Sequence, residues 1–185
     1  SFAIHAKGVP LLTPQKLPMH LPTSALAEAM VCEWRTHKKF AAGKMPLTTL
    51  APTGIDRIEE QRELIVESLL TYVDTDALVY RSSSSQSLLK KQEDQWNPVL
   101  DKTASLLKAK WDVTTGVMPV DQAPELHDAI RVYLNNLDTM RLSAACMLSA
   151  SFSSVALAIA VVEKYITAET AFALSRLEEE SQAET

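Results

Sequence analysis

An α+β fold is predicted for this chain, with a small antiparallel β unit at residues 1–22 and a larger helical domain at residues 23–185. Three observations carry the expectation. Short apolar pieces alternate with turn signals up to residue 22, where Pro10, Pro14, Pro18 and Pro22 restrict any strand to an edge or a bulge. From residue 23 onward, apolar residues recur at helical spacing. Residues 142–162 carry no charge, as suits helices at the centre of a packed domain.

In the β unit, FAIHA and VPLL flank Lys7-Gly8, which fits a two-residue hairpin turn. LPMHL then places Leu17, Met19 and Leu21 on one strand face. Thr23 or Ser24 is the expected cap of a first helix through ALAEAMVCEW. In MPLTTLAPTGID, Pro46 suits a first helical turn and Gly54 an end. Asp56 with Glu59 resembles a capping box before a helix whose face carries Ile58, Ile65, Leu69 and Tyr72. SSSSQS is a polar loop that ends in a cap. Leu88, Gln92 and Trp96 share a register in the next helix, which Asn97-Pro98 restarts or kinks and which runs to about Trp111. VTTGVMPV reads as a loop or short strand. Leu126, Ile130, Tyr133, Leu134 and Leu137 mark an amphipathic helix. A final helix is expected from a Thr167 cap to Glu184, with Ile166 and Ala171 as a hydrophobic staple. The tally is seven to eight helices.

The uncharged 142–162 stretch has the length of a membrane span. Its content argues otherwise. It holds Ser143, Ser149, Ser151, Ser153 and Ser154, and each Leu, Ile, Phe or Val contributes only a few tenths of a kcal/mol to insertion. The Ser-Phe-Ser-Ser cluster at 151–154 looks like a break between two helices, with Ser149 or Ser151 as the second one's cap. Buried helices, without membrane insertion, are the expectation.

Composition narrows the function classes. The chain has 185 residues, is 46% hydrophobic and 22% charged, and has a net charge of −5, so it can bury an ordinary core. It begins at Ser1 inside a strand-like piece, which suggests a fragment. No basic run exceeds Lys38-Lys39 or Lys90-Lys91, so no nucleic-acid stripe is expected. Cys32 and Cys146 have no metal-ligand or redox spacing and read as reduced thiols. Gly8, Gly43, Gly54 and Gly116 are isolated, so no phosphate-cradling loop and no bound nucleotide are expected. His5, His20, His37 and His127 are too scattered for a metal site, and no cofactor is expected. Asp74 and Asp76 are the nearest approach to a catalytic pair, but i, i+2 spacing points them apart. One is expected to cap a helix and the other to meet Arg81 or a backbone N–H. A small-molecule enzyme using Asp74 and Asp76 is the runner-up reading. The acidic run in SRLEEE would oppose the dipole if it ended a helix, so it either lies on a helix that continues or has a partner. Glu178 follows apolar Leu177 and lies at i+4 from Leu174, at the border of the packed face.

The ordered segments VPLLTP, LPTSALAEAMVCEW, MPLTTLAPTGIDR, LLTYVDTDALVYR, KKQEDQWNPVLD, GVMPV and ALSRLEEESQ together resemble the assembly chaperones of the F1-ATPase α subunit, found in mitochondria and alpha-proteobacteria. The resemblance spans nearly the whole chain. It implies the same two-part fold and a protein client, the unassembled α subunit, whose β-facing surface is masked until F1 assembles. Such a mask needs no catalytic group. By the same resemblance Glu178 matches the family's functional glutamate, and Trp34 matches a position where family members do not tolerate change, read first as a core tryptophan that acts through folding and otherwise as a partner contact; Arg176 and Glu179, beside Glu178, are further partner-contact candidates. Asp74, Asp76, Tyr80, Arg81, Trp96, Pro98, Met118 and Pro119 match family motifs with mainly structural roles. By the resemblance, family members begin with a further strand or two and continue past the acidic run with a WG and an acidic tail, segments expected outside residues 1–185. The basic RTHKKFAAGK is a departure near Trp34. A bacterial cytoplasm is the expected compartment, because the chain is compact and lacks insertions, with the mitochondrial matrix as the alternative.

Overall fold

A computed structural model describes residues 1–6, 8–37, 39–116 and 118–183. The proposed turn at Lys7-Gly8 and the final helical position at Glu184 therefore lie partly outside the described residues. Packing divides the chain into two compact units, Ser1–Arg62 with Leu137–Ser143, and Glu63–Asn136 with Ala144–Thr185. Residue 22 marks where strands give way to helices, which is a different partition from these packed units.

In the first unit β1 (Phe2–Ala3) pairs antiparallel with β4 (His20–Leu21), and β2 (His5–Ala6) with β3 (Val9–Pro10). Each strand is only two residues long, as the prolines require. Met19 and Leu21 are buried as expected, but Leu17 is exposed, because it belongs to the turn that Thr13 closes with its hydroxyl on the Leu17 N–H. Helix α1 (Ser24–Thr36) is capped by Thr23, whose Oγ1 accepts from the Leu26 N–H at 3.2 Å. It packs on β1, β4 and α2 (Pro46–Thr53), around a core of Ile4, Met19, Leu21, Ala27, Met30 and Ala51. Pro46 occupies the first turn of α2, as the sequence indicates.

Gly54 is the C-cap of α2, as the sequence indicates, but the helical run does not stop there. A π-helical turn, Gly54–Ile58, leads directly into α3 (Glu59–Leu70). The glycine is required by close approach: a Cβ there would lie 2.8 Å from Ser143 Oγ and 3.2 Å from Met140 Sδ. Asp56 likewise has a different role from the expected capping box, whose Glu59 side chain is not among those described. Its buried carboxylate accepts from the Thr13 hydroxyl and, at 3.2 Å, from the Gln15 N–H, so it fastens the 13–17 turn.

The second unit is organised by α4 (Gln86–Leu107), which packs against α5 (Pro124–Asn135) and three further helices of the unit. Ser85 caps α4, Pro98 is accommodated inside it, and Lys108 closes it in the left-handed conformation, so it stops short of Trp111. A two-residue parallel pair, β5 (Tyr80–Arg81) with β6 (Thr114–Thr115), completes this unit. The uncharged stretch forms most of α6 (Thr139–Phe152) and all of α7 (Val155–Val162), with the break at Ser153 and Ser154. The cap is Ser154, neither Ser149 nor Ser151: its Oγ accepts from the Leu157 N–H at 3.0 Å. Positions 155–160 are buried without exception. Among the described residues no helix is long and apolar enough to cross a membrane.

The final expected helix is two, which brings the α-helices to nine among the described residues. Thr167 caps α8 (Ala168–Ser175), and the backbone turns at Arg176 (φ −106°, ψ 8°) before α9 (Leu177–Ala183). Glu178, Glu179 and Glu180 thus open a helix, where the dipole favours acids. The electrostatic conflict expected at a helix C-terminus does not arise.

Candidate functional site

The acidic start of α9 stands on a buried polar cluster. Gln92 is fully buried in α4 (0% exposed), one turn before Trp96. Its Nε2 donates to Glu178 Oε1 at 2.7 Å, and its Oε1 accepts from the Ser82 N–H at 2.8 Å. The Gln92 backbone carbonyl accepts from Arg81 Nη1 at 3.4 Å. Arg81, only 4% exposed, also donates to Asn97 Oδ1 at 2.7 Å and lies over the Trp96 ring, 5.0 Å from its centroid. Trp96 Nε1 in turn donates to the Leu174 carbonyl at 3.0 Å, holding the end of α8. Burial pulls the Arg81 pKa below its usual value, against the Glu93 and Asp76 carboxylates that raise it.

Glu178 itself is exposed, while Leu177 and Leu174 beside it are buried. The carboxylate therefore sits at the border of packed and open surface, as the sequence indicates. Arg176 and Glu179 are exposed and pair with each other at 2.7 Å, with the guanidinium 5.6 Å from the centroid of the exposed Phe172 ring. The surface around Glu178 thus carries a carboxylate beside an arginine and an aromatic face, and arginine and aromatic side chains are the types enriched at protein interfaces.

Asp74 and Asp76 do not converge on a common point. Asp76 is fully buried and caps two helical starts: Oδ1 accepts from the Leu78 N–H at 3.0 Å and Oδ2 from the Ala156 N–H at 2.9 Å. The Val155 N–H and Ser154 hydroxyl add to it. Burial pushes its pKa up to about 6, against the opposing pull of these donors. Asp74 Oδ1 instead accepts from the Gln122 N–H at 2.9 Å and meets His127 Nε2 at 3.0 Å. Burial raises the Asp74 pKa, but these two partners outweigh it and the net shift is downward. Tyr80 donates its hydroxyl to the Asp74 carbonyl at 2.8 Å. The expectation of one cap and one backbone-bound carboxylate is met, while Arg81 pairs with Asn97 rather than with either aspartate. Pro98 is exposed within α4, and Met118 and Pro119 are exposed near β6.

In the first unit, Trp34 is half-buried against the core and stacks on exposed Phe40 with centroids 6.5 Å apart. Its buried Nε1 has no partner among the described residues. Its neighbour Glu33 holds α2 from outside that helix: its carboxylate accepts from the Leu47 N–H at 2.8 Å, the Thr48 N–H at 2.9 Å and the Thr48 hydroxyl at 2.7 Å. Met45, the residue before α2, offers no side-chain cap, so Glu33 replaces one. Sequence reading missed Glu33 and the role of Gln92. A polar residue in register between buried Leu88 and Trp96 was the available signal for the second.

The paired short strands and the helices that carry these residues follow a known architecture. The chain aligns with the crystal structure of Atp12 from Paracoccus denitrificans at a TM-score of 0.91 and 37% identity, over 98% of this chain and 78% of that one. With the Atu1473 protein of Agrobacterium tumefaciens the values are 0.89 and 34%, over 98% and 69%. It is 26% identical over 164 residues to "Protein atp12, mitochondrial" of Schizosaccharomyces pombe, which covers 83% of this chain and 56% of that relative. The chain thus spans little more than half the length of that curated relative. The family described as ATP12 chaperone protein matches residues 1–104. The chain belongs to the ATP12 chaperone family. This is a chaperone family and not an enzyme family, so the reading of Asp74 and Asp76 as a catalytic pair falls.

Proposed function

We propose that this protein is an ATP synthase assembly chaperone that binds the unassembled F1-ATPase α subunit, masks its β-facing surface and prevents self-association until F1 forms. Family membership supports the chaperone role, and the observation that carries the binding site is Glu178, exposed yet hydrogen-bonded to a fully buried amide. An unassembled subunit leaves an interface-sized apolar patch open, a surface that drives aggregation. Covering it requires shape, aromatic area and a few charges, without nucleotide or metal. Glu178 supplies a negative anchor for a basic group of the client, with Phe172 and the Arg176–Glu179 pair around it. Trp34 is a second contact candidate, half-buried and stacked on exposed Phe40. Its place of action is a bacterial cytoplasm, as suits the Paracoccus and Agrobacterium neighbours.

Light scattering of isolated F1 α subunit tests the reading. Stoichiometric wild-type protein is expected to suppress aggregation of α and to be displaced by added β subunit. Undiminished aggregation, with no complex on gel filtration, would refute it.

A further inference from the structure

We infer that Gln92 is a positioning residue for the client-binding carboxylate of Glu178, fixing its direction from inside the helical unit; this rests on the client-binding role proposed above. Glutamine is an unfavourable residue to bury completely unless its amide is satisfied. Here both ends are, and by partners of opposite demand. The Ser82 N–H can only donate, so it requires the Gln92 oxygen. The Glu178 carboxylate accepts, so it takes the Gln92 nitrogen. The two contacts impose the same amide orientation. The backbone at Gln92 is held as well, through its carbonyl and Arg81, whose guanidinium is fixed by Asn97 and the Trp96 face.

A glutamate on a surface helix ordinarily samples several rotamers, and a partner must immobilise it at an entropic cost. The 2.7 Å bond to an immobile amide removes part of that cost before binding. It also joins three separated pieces of sequence, around residues 81, 92–97 and 174–178, into one mount. Conserving the length of the side chain at position 92 is therefore insufficient; the donor is what counts.

A double-mutant cycle on the dissociation constant for isolated F1 α subunit tests this in the full chain. Gln92→Met keeps the length of the side chain and loses the donor, and circular dichroism and the melting temperature identify folded protein. The expected result is about tenfold weaker binding by Gln92→Met, corresponding to roughly one ordinary hydrogen bond's contribution. In a Glu178→Ala background the same substitution should change affinity less than about twofold, since nothing is left to position. Should Gln92→Met not fold, Gln92→Glu, which keeps the acceptor for Ser82 and repels Glu178, serves in its place, with a loss of at least tenfold confined to the Glu178 background. An equal loss in both backgrounds overturns the inference alone. Absence of α binding by the wild-type protein overturns the client reading and this inference with it.

Discussion

Trp34 and Glu178 are both matched to family motifs, yet their surroundings differ in kind. Trp34 lies in a layer of apolar side chains, and its neighbour Glu33 spends its carboxylate on the N-terminus of α2. Glu178 has its stem beside buried Leu177 and Leu174 but its charge at the surface, tied back to the interior by one short bond. The first region is organised to hold itself together. The second holds a charge out. The difference lies in where the polar atoms sit: the Trp34 N–H is buried, whereas the Glu178 carboxylate stands at the surface.

The comparison is sharpened by substitutions that separate folding from binding, and the largest folding effect is expected at neither residue. Asp76→Ala should cost about 3 kcal/mol or more in urea unfolding, because the Leu78 and Ala156 N–H groups are left buried without an acceptor. Its pH dependence has a definite sign. The folded pKa, about 6, is raised above the unfolded 3.8. Asp76's contribution is therefore fully present below about pH 4 and declines as pH rises through about 6, so the gap between wild type and variant should narrow over that window. A gap that widens with pH would show that the donors outweigh burial.

Next in size, Trp34→Ala should cost about 2–3 kcal/mol by loss of half-buried aromatic packing. Trp34→Phe should cost under about 1 kcal/mol, since the indole N–H it removes is buried without a partner among the described residues. Affinity for α that falls at least tenfold in folded Trp34→Phe would move Trp34 into the same category as Glu178. Glu33→Ala should cost about 1–2 kcal/mol, the loss of a helix cap. Burial raises the Glu33 pKa, but the Thr48 and Leu47 bonds prevail and lower it, so this stabilisation is present above the ordinary carboxylate range and lost as pH falls through the folded pKa. Chemical denaturation at pH 7 and pH 3.5 reads that loss, which Glu33→Ala should abolish.

Much of the architecture was legible because it is local. Proline spacing confined the strands, the Ser cluster at 151–154 placed the break between α6 and α7, and Thr23, Pro46 and Thr167 marked helix starts. The errors were tertiary. Nothing near Gly54 or Asp56 in sequence shows that Ser143 crowds the first or that Thr13 and Gln15 claim the second. The turn at Arg176 was unforeseen because ALSRLEEES is continuous helix former by propensity. That turn changes the meaning of the acidic run, since it converts a helix end into a helix beginning. Glu178 could be singled out as a candidate by its family motif and its place beside Leu177, while its surroundings could not: Ser82, Gln92 and Asn97 act through partners distant in sequence, the longest span being the 86 residues between Gln92 and Glu178.

The central claim is that Glu178 is presented for a partner and is not needed for the fold. The direct measurement is the affinity of Glu178→Lys for isolated F1 α subunit, taken together with its unfolding free energy. The account predicts at least a hundredfold loss of affinity with a stability change of about 1 kcal/mol, the scale of one lost hydrogen bond. Unchanged affinity, or a loss of binding fully explained by unfolding, would contradict it.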